Sequence, residues 1–549
     1  MKPQQHTSFK SYRIQYSTAH TATSMGHLCL RYASDEHIGA SIAINDGHNA
    51  LTYRELHDAA LSFAYTLKIK GIKGKDRIAI LMEKSISAVI AILGVLRSGA
   101  AYIPIDPASP PSRAELILAE SEAKLVITVG RLAEKFQLQR PWLDFEQFQP
   151  FHLPPELIQS LPRPHPNDEA YLLFTSGSTG KPNGVRIPHR AVAAFFDAVA
   201  PLMREDSTSR CLNTSPLHFD VSIIDIFFPL SRGATLYLGP GIPYPGLISS
   251  LIEREGITHM CGVGSTLNLL VADPAFHKRN LTTLQRIMTG AEVLNVETIR
   301  TLLQAIPALG VINGYGPTEA TCVCIAHLIT AIPVDFAGQL PIGQPLRGID
   351  VQIIRNNEQE ESDVVSEVQA NQIGGIAVAG DQVMLGYIHR PDLMAERVHT
   401  INARQYYLTG DMGYRDEYGL YHFVGREDDE VKIRGYRIHL AEIVAAMHAC
   451  PGVIDAVSTV VQGVNGQDIA VAFVVKEPAP TMDDLLLVQQ TLKTLLPSYM
   501  LPRYLRLYTS FPFLPSGKVN ASRVRAALKA QIQQQPDLFS FIGEAKDAW

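Results

Sequence analysis

Residues 171–185 read YLLFTSGSTGKPNGV: an apolar run ends in a loop built almost wholly of Gly, Ser, Thr, Lys, Pro and Asn. The hydroxyls of Thr175, Ser176, Ser178 and Thr179 can donate hydrogen bonds, Gly177 and Gly180 let a backbone approach closely, and Lys181 adds positive charge. A polyphosphate needs these three things together. The loop is not GxxxxGK[ST], because Pro182 follows Lys181 and no Ser or Thr stands ready for that motif's magnesium. A flexible connector has the same composition, so the chemistry depends on what surrounds the loop.

The elements around it read as alternating strands and helices. KDRIAILM, AKLVITV, ATLYLG and GVINGYG are short apolar runs rich in β-branched residues. LTYRELHDAALSFAYTLKIKG and LTTLQRIMTGAEVLNVETIRTLLQAI (281–306) carry helical spacing. Such alternation predicts α/β layers with largely parallel sheets. SISAVIAILGVL, between Lys84 and Arg97, is too short for a bilayer and predicts a buried helix. Eight of the thirteen residues in 425–437 are charged, which fits a solvated turn or a domain hinge. Downstream, LAEIVAAMHAC and DLLLVQQTLKTLL read as helices and DAVSTVVQ and IAVAFVV as strands, enough for a small α+β domain.

A chain of 549 residues exceeds one ordinary core, so two or more domains are expected. The net charge of −6 gives no basic surplus for nucleic acid or anionic lipid. The polar start lacks a secretory core, and six cysteines without a CxxC pair argue against disulfide or zinc frameworks. The expectation is a cytoplasmic protein with no nucleic-acid or membrane partner.

TSGSTGKPNG resembles the phosphate-binding loop of the adenylate-forming superfamily, and the resemblance continues in order along almost the whole chain. LRSGAAYIPIDP (96–107), FDVSIIDIF (219–227), NGYGPTEAT (313–321), GDQVMLGY (380–387), YLTGDMG (407–413), GREDDEVKIRGYRI (425–438), LPSYMLP (496–502) and LPSGKVN (514–520) are similar to its core motifs. Within the superfamily the chain looks most like the amino-acid adenylation enzymes of nonribosomal peptide synthesis. The resemblance implies a large N-terminal adenylation core (1–425) with layered sheets and helices, a hinge (426–429) pivoting at Asp428, a small mobile α+β domain (430–530) and a tail (531–549).

It also implies ATP and Mg2+ as cofactors and a set of roles. Lys518 would be the catalytic lysine bridging carboxylate and α-phosphate, and Glu319 would hold magnesium. Tyr315 would stack on the adenine and Asn313 would bind its amine, Gly316 and Thr318 would also bind the nucleotide, and Asp411, Phe423 and Arg426 would lie at the ribose. Rotation of the small domain would replace Lys518 by the VKIRGYRI segment and open a channel for a thiol. Asp220 matches the aspartate that pairs with a substrate α-amino group, although an N-cap for the following helix would suit it too. Val221, Ile224, Cys261, Met288, Gly290, Gly314, Cys322 and Val323 would line the rest of the substrate pocket. That lining is apolar, and its two glycines are expected to leave volume, so a neutral apolar amino acid is favoured.

His439, Gly375 and Phe423 depart from the usual residues of the family, and His439 could alter how the second conformation docks. The expected reaction is amino acid plus ATP to aminoacyl-AMP and pyrophosphate, then transfer to the phosphopantetheine of a separate carrier protein by a monomeric, stand-alone enzyme. The alternatives are an acyl- or aryl-CoA synthetase, a D-alanyl carrier protein ligase, an enzyme for a β-amino acid, and a catalytically silent nucleotide-binding homologue.

Overall fold

The computed structural model describes residues 24–177, 181–239, 245–336, 338–355, 366–367, 369–426, 429–463, 466–475, 482–513, 519–534 and 539–542. Three sheets make up the large domain. The apolar runs Arg77–Leu81, Ala101–Pro104 and Leu125–Thr128 pair in parallel in a seven-stranded sheet. They are buried almost throughout, as strands covered on both faces require. Glu169–Thr175 joins the same sheet and delivers the polar loop at its end.

The nine-stranded sheet carries Arg210–Asn213, His259–Cys261, Arg286–Gly290 and Gly310–Tyr315 as parallel neighbours. Between the two sheets runs the helix Ile86–Arg97, buried along nearly its full length as the sequence predicts. The helix Tyr53–Ile69 packs on it and starts in a capping box between Thr52 and Glu55.

Three sequence expectations change here. The helical spacing across 281–306 holds only for its second half: Arg286–Gly290 is a strand, and the helix is Val296–Ala305. A short apolar run fits either period, and the parallel strands on both sides decide it. The third sheet, with Ile349–Arg355, Gly374–Gly380, Arg404–Arg415 and Tyr421–Arg426, is antiparallel throughout. No helical crossover separates most of its strands, so the sheets are not largely parallel here. The expected tail is also part of the fold, because the helix Ala521–Gln534 crosses residue 530 and Phe539–Ile542 pairs in parallel with Tyr504–Tyr508. The FSFI sequence is strand-forming by type, and a sheet edge was available to it.

The chain leaves the third sheet at Arg426 and enters a hairpin, Glu430–Ile433 against Tyr436–His439. Arg434 (φ 52°) and Gly435 (φ 81°) form its two-residue turn, both left-handed as the tightest hairpin connection demands. Beyond it, Val453–Gly463 and Gly466–Val475 form a small sheet with Tyr504–Tyr508, covered by the helices Leu440–His448 and Met482–Leu495. This small domain sits against the large one. Arg113 pairs with Glu442 across the contact, both buried, and the Ser112 hydroxyl donates to the Thr494 carbonyl at 3.1 Å. Among the described residues, no helix is long and apolar enough to cross a membrane.

Candidate active site

A cavity opens where the strand ends of both large sheets meet the hairpin. All nine residues expected around a substrate, from Asp220 to Val323, line it, and so do Thr175, Ser176, Gly316, Thr318, Asp411 and Arg426. A second cavity shares Gly314, Asp411 and Arg426 with the first and adds Asn313, Tyr315 and Phe423. The sequence-separated motifs therefore converge on one cleft.

The apolar wall comes from the nine-stranded sheet. Cys261 ends its strand, Met288 pairs with it on the neighbouring one, and both are 3% exposed. After Glu319 the chain passes through Thr321 (φ 57°) and Cys322 (φ 72°), a conformation rare for side-chain-bearing residues. That turn sets Cys322 and Val323 on the cavity wall. The two glycines do not supply the volume expected of them. A Cβ at Gly290 would lie 2.3 Å from the Gly314 carbonyl oxygen, and one at Gly314 would press on Val323 at 3.1 Å. Close strand approach, not open space, requires glycine there.

Asp220 faces this wall. Its carboxylate accepts a hydrogen bond from the Thr318 hydroxyl at 2.7 Å and reaches across the cleft, so its side chain is used differently from an N-cap. Burial pushes its pKa up, while Thr318 and the charge of Lys432 oppose the shift. Among the described residues it forms no ion pair.

At the other end, Tyr315 donates its hydroxyl to Asp411 at 2.6 Å, and Arg426 pairs with the other carboxylate oxygen at 2.7 Å. Asn313 donates to the Pro341 carbonyl at 2.8 Å. Phe423 lies 6.3 Å from Tyr315 between ring centres. Lys432, on the hairpin, holds its ammonium 5.8 Å from the Tyr315 ring centre. Ser178, Thr179, Gly180, Asp428 and Lys518 lie outside the described residues. Lys181 is exposed at the loop's far side, and a Cβ at Gly177 would lie 2.2 Å from the Lys181 carbonyl oxygen.

The hairpin fills the space between these groups. Arg437 donates to both Glu319 oxygens at 2.8 Å, and Tyr387 donates to one of them at 2.7 Å. Burial alone would raise the Glu319 pKa, yet the Arg437 guanidinium and the Tyr387 hydroxyl hold it below the usual carboxylate value. Arg437 also contacts Glu430 at 2.5 Å, and Glu430 lies 3.1 Å from Arg426. An alternating ladder thus runs Asp411, Arg426, Glu430, Arg437, Glu319: three carboxylates against two guanidinium groups. The Ser176 hydroxyl donates to the Arg437 carbonyl at 2.8 Å and accepts the His439 amide at 3.0 Å. The His439 ring caps its own helix by accepting the Ala441 amide.

Glu430 and Arg437 were missed as site residues, because a dense charge run reads as solvated. Glu430 is only 5% exposed. The available signal was alternation: Glu430 and Lys432 on one strand face His439 and Arg437 on the other.

Layered sheets, a cleft between them and a small domain closing it define the fold of the adenylate-forming enzymes. The family profile described as AMP-binding enzyme matches residues 31–388. The chain belongs to that family. It is 30% identical over 519 residues to gramicidin S synthase 2 of Brevibacillus brevis, a match covering 93% of this chain and 11% of that relative. The chain thus spans about a ninth of that protein's length. A solved nonribosomal peptide synthetase protein containing adenylation and PCP domains has a TM-score of 0.77 at 24% identity, over 91% of this chain and 84% of that one. An amide bond synthetase from Marinactinospora thermotolerans has a TM-score of 0.79 at 22% identity, over 92% and 99%.

Proposed function

We propose that the protein joins the carboxylate of a neutral, apolar amino acid to the α-phosphate of ATP, releasing pyrophosphate, and then passes the aminoacyl group to a phosphopantetheine thiol on a carrier. One observation carries the amino-acid assignment: Asp220, without an ion-pair partner among the described residues, presents a buried carboxylate beside the apolar part of the cavity formed by Val221, Ile224, Cys261, Met288, Cys322 and Val323. A desolvated carboxylate is expensive unless a cation answers it, and a substrate ammonium is such a cation. The sulfur and aliphatic groups of Cys261, Met288, Cys322 and Val323 would meet the side chain.

In the first step the substrate carboxylate attacks the α-phosphorus and the bond to pyrophosphate breaks. Asp411 and Arg426 would hold the ribose, Tyr315 and Asn313 the adenine, and Thr175, Ser176 and the rest of the loop the β- and γ-phosphates. Lys518 would bridge carboxylate and phosphate from the small domain, turning about Asp428. In the second step the hairpin, which lies in the cleft, would take that place, and the thiol would attack the acyl carbon and expel AMP.

Glu319 fits a divalent cation. It is 1% exposed, and its cation partner Arg437 arrives on another domain. Among the described residues, no group of three or more His, Cys, Asp or Glu side chains could hold a metal. An ion there would take its other oxygens from phosphates, as magnesium does. When bound, it would neutralise charge on the leaving pyrophosphate.

The test is amino-acid-dependent ATP–pyrophosphate exchange over a panel of L-, D-, β- and non-proteinogenic amino acids, with Lys518→Ala as control. Strong exchange with apolar amino acids, abolished by Lys518→Ala, is expected. Exchange with simple carboxylic acids alone would overturn the role of Asp220.

A further inference from the structure

Glu292 stands just beyond the strand Arg286–Gly290, after the left-handed Ala291 (φ 64°). It makes no hydrogen bond to Asp220, Glu319 or Asp411 among the described residues. One carboxylate oxygen accepts the Gly435 amide at 3.0 Å. The other accepts the Ser265 amide, at the start of the helix Gly264–Ala272. The Arg434 amide and the Ser265 hydroxyl face the same carboxylate. Burial pushes its pKa up while these donors oppose the shift.

The tip of the hairpin explains why an acceptor is needed. In a two-residue turn with both residues left-handed, the amides at the tip find no partner across the hairpin. In water they are hydrated. Here Val263 closes over them, and a Cβ at Gly435 would lie 2.5 Å from a Val263 methyl carbon. An amide taken from water without an acceptor is destabilising, and a carboxylate is the strongest acceptor a side chain offers. The Arg434 side chain does not compete, because it pairs with Asp468 of its own domain.

We infer that Glu292 is a positioning residue for acyl transfer: it accepts the turn amide of Gly435 and so holds the 430–439 hairpin in the cleft. The inference rests on the two-step function proposed above. Adenylation, with the hairpin withdrawn, does not use this contact.

The test separates the two half-reactions. Exchange is measured beside aminoacyl-thioester formation on pantetheine, using the amino acid that gives the strongest exchange in the panel. For Glu292→Ala, exchange stays within about twofold, while kcat for thioester formation falls about tenfold or more at unchanged KM for pantetheine. Glu292→Gln keeps an acceptor oxygen and recovers part of the loss. An equal fall in both reactions, or a fall in neither, overturns the role. A second readout does not need turnover. Ile69 and Leu486 are 69% and 50% exposed and the six native cysteines are buried, so dyes placed through Ile69→Cys and Leu486→Cys report domain docking by energy transfer. Glu292→Ala is expected to move the signal away from that of the parent, and no movement overturns the inference. A parent without exchange activity would fail the function reading, and the energy-transfer result would still decide Glu292.

Discussion

The wall around Asp220 is carried by strands of the large sheet and the strained turn after Glu319, whereas the nucleotide end is closed by a hairpin from another domain. Along the wall, neighbours touch through packed main chain, as at Gly290 and Gly314. At the nucleotide end they touch through ion pairs, from Asp411 to Glu319 by way of Arg426, Glu430 and Arg437. Packed backbone is not readily rearranged, so it can define the shape of a substrate. Ion pairs can exchange one partner for another of like charge, so they can serve two steps in succession. On the proposed function, recognition and turnover would fall to different kinds of contact.

The largest expected effect breaks the wall. Asp220→Asn keeps the shape and removes the charge, and should raise the KM for the amino acid in exchange by about a hundredfold. Because the Asp220 pKa is raised by burial, its ionised form is lost earlier than usual as pH falls. The parent KM should therefore rise on acidification, and the Asn variant should lack that dependence.

The next prediction concerns the opposite end. Arg437 and a divalent cation cannot both occupy Glu319, so removing the guanidinium removes a competitor. Arg437→Met should lower the magnesium concentration giving half-maximal exchange by about tenfold. An unchanged magnesium requirement would show that the hairpin does not compete for Glu319.

Behind the wall, Glu205 tests how firmly it is packed. Glu205 is 3% exposed, and burial raises its pKa to about 8. The folded chain therefore keeps a proton that the unfolded chain releases near its ordinary value. Its contribution is complete below the unfolded pKa and is lost as pH rises through about 8. Glu205→Gln stays neutral, so its Tm should gain on the parent by roughly 2 °C or more between pH 5 and pH 8.5.

The smallest effect is a change in selectivity. Cys322→Ala enlarges the cavity by one sulfur and should shift the exchange preference between side chains one methylene apart by about threefold to tenfold.

Much of this was legible in the sequence. Asp220, Thr318, Asp411 and Arg426 sit in short motifs, and the two strand periods around them are local. What stayed hidden depends on distant pairing. Arg437 meets Glu319 across 118 positions, and Gly435 meets Glu292 across 143. No local pattern encodes such a meeting. The strand Arg286–Gly290 was misread for the same reason, since its period is fixed by neighbours far along the chain.

The contact between Gly290 and Gly314 has a practical consequence for redesign. Any side chain at Gly290 would collide with backbone, so that position is closed to a mutant library. Variation belongs instead at the six residues Val221, Ile224, Cys261, Met288, Cys322 and Val323. Six sites at twenty residues each still make a large library, but restricting them to apolar types brings it within reach of screening. The frame that fixes the depth of the cavity would remain untouched while its lining is changed.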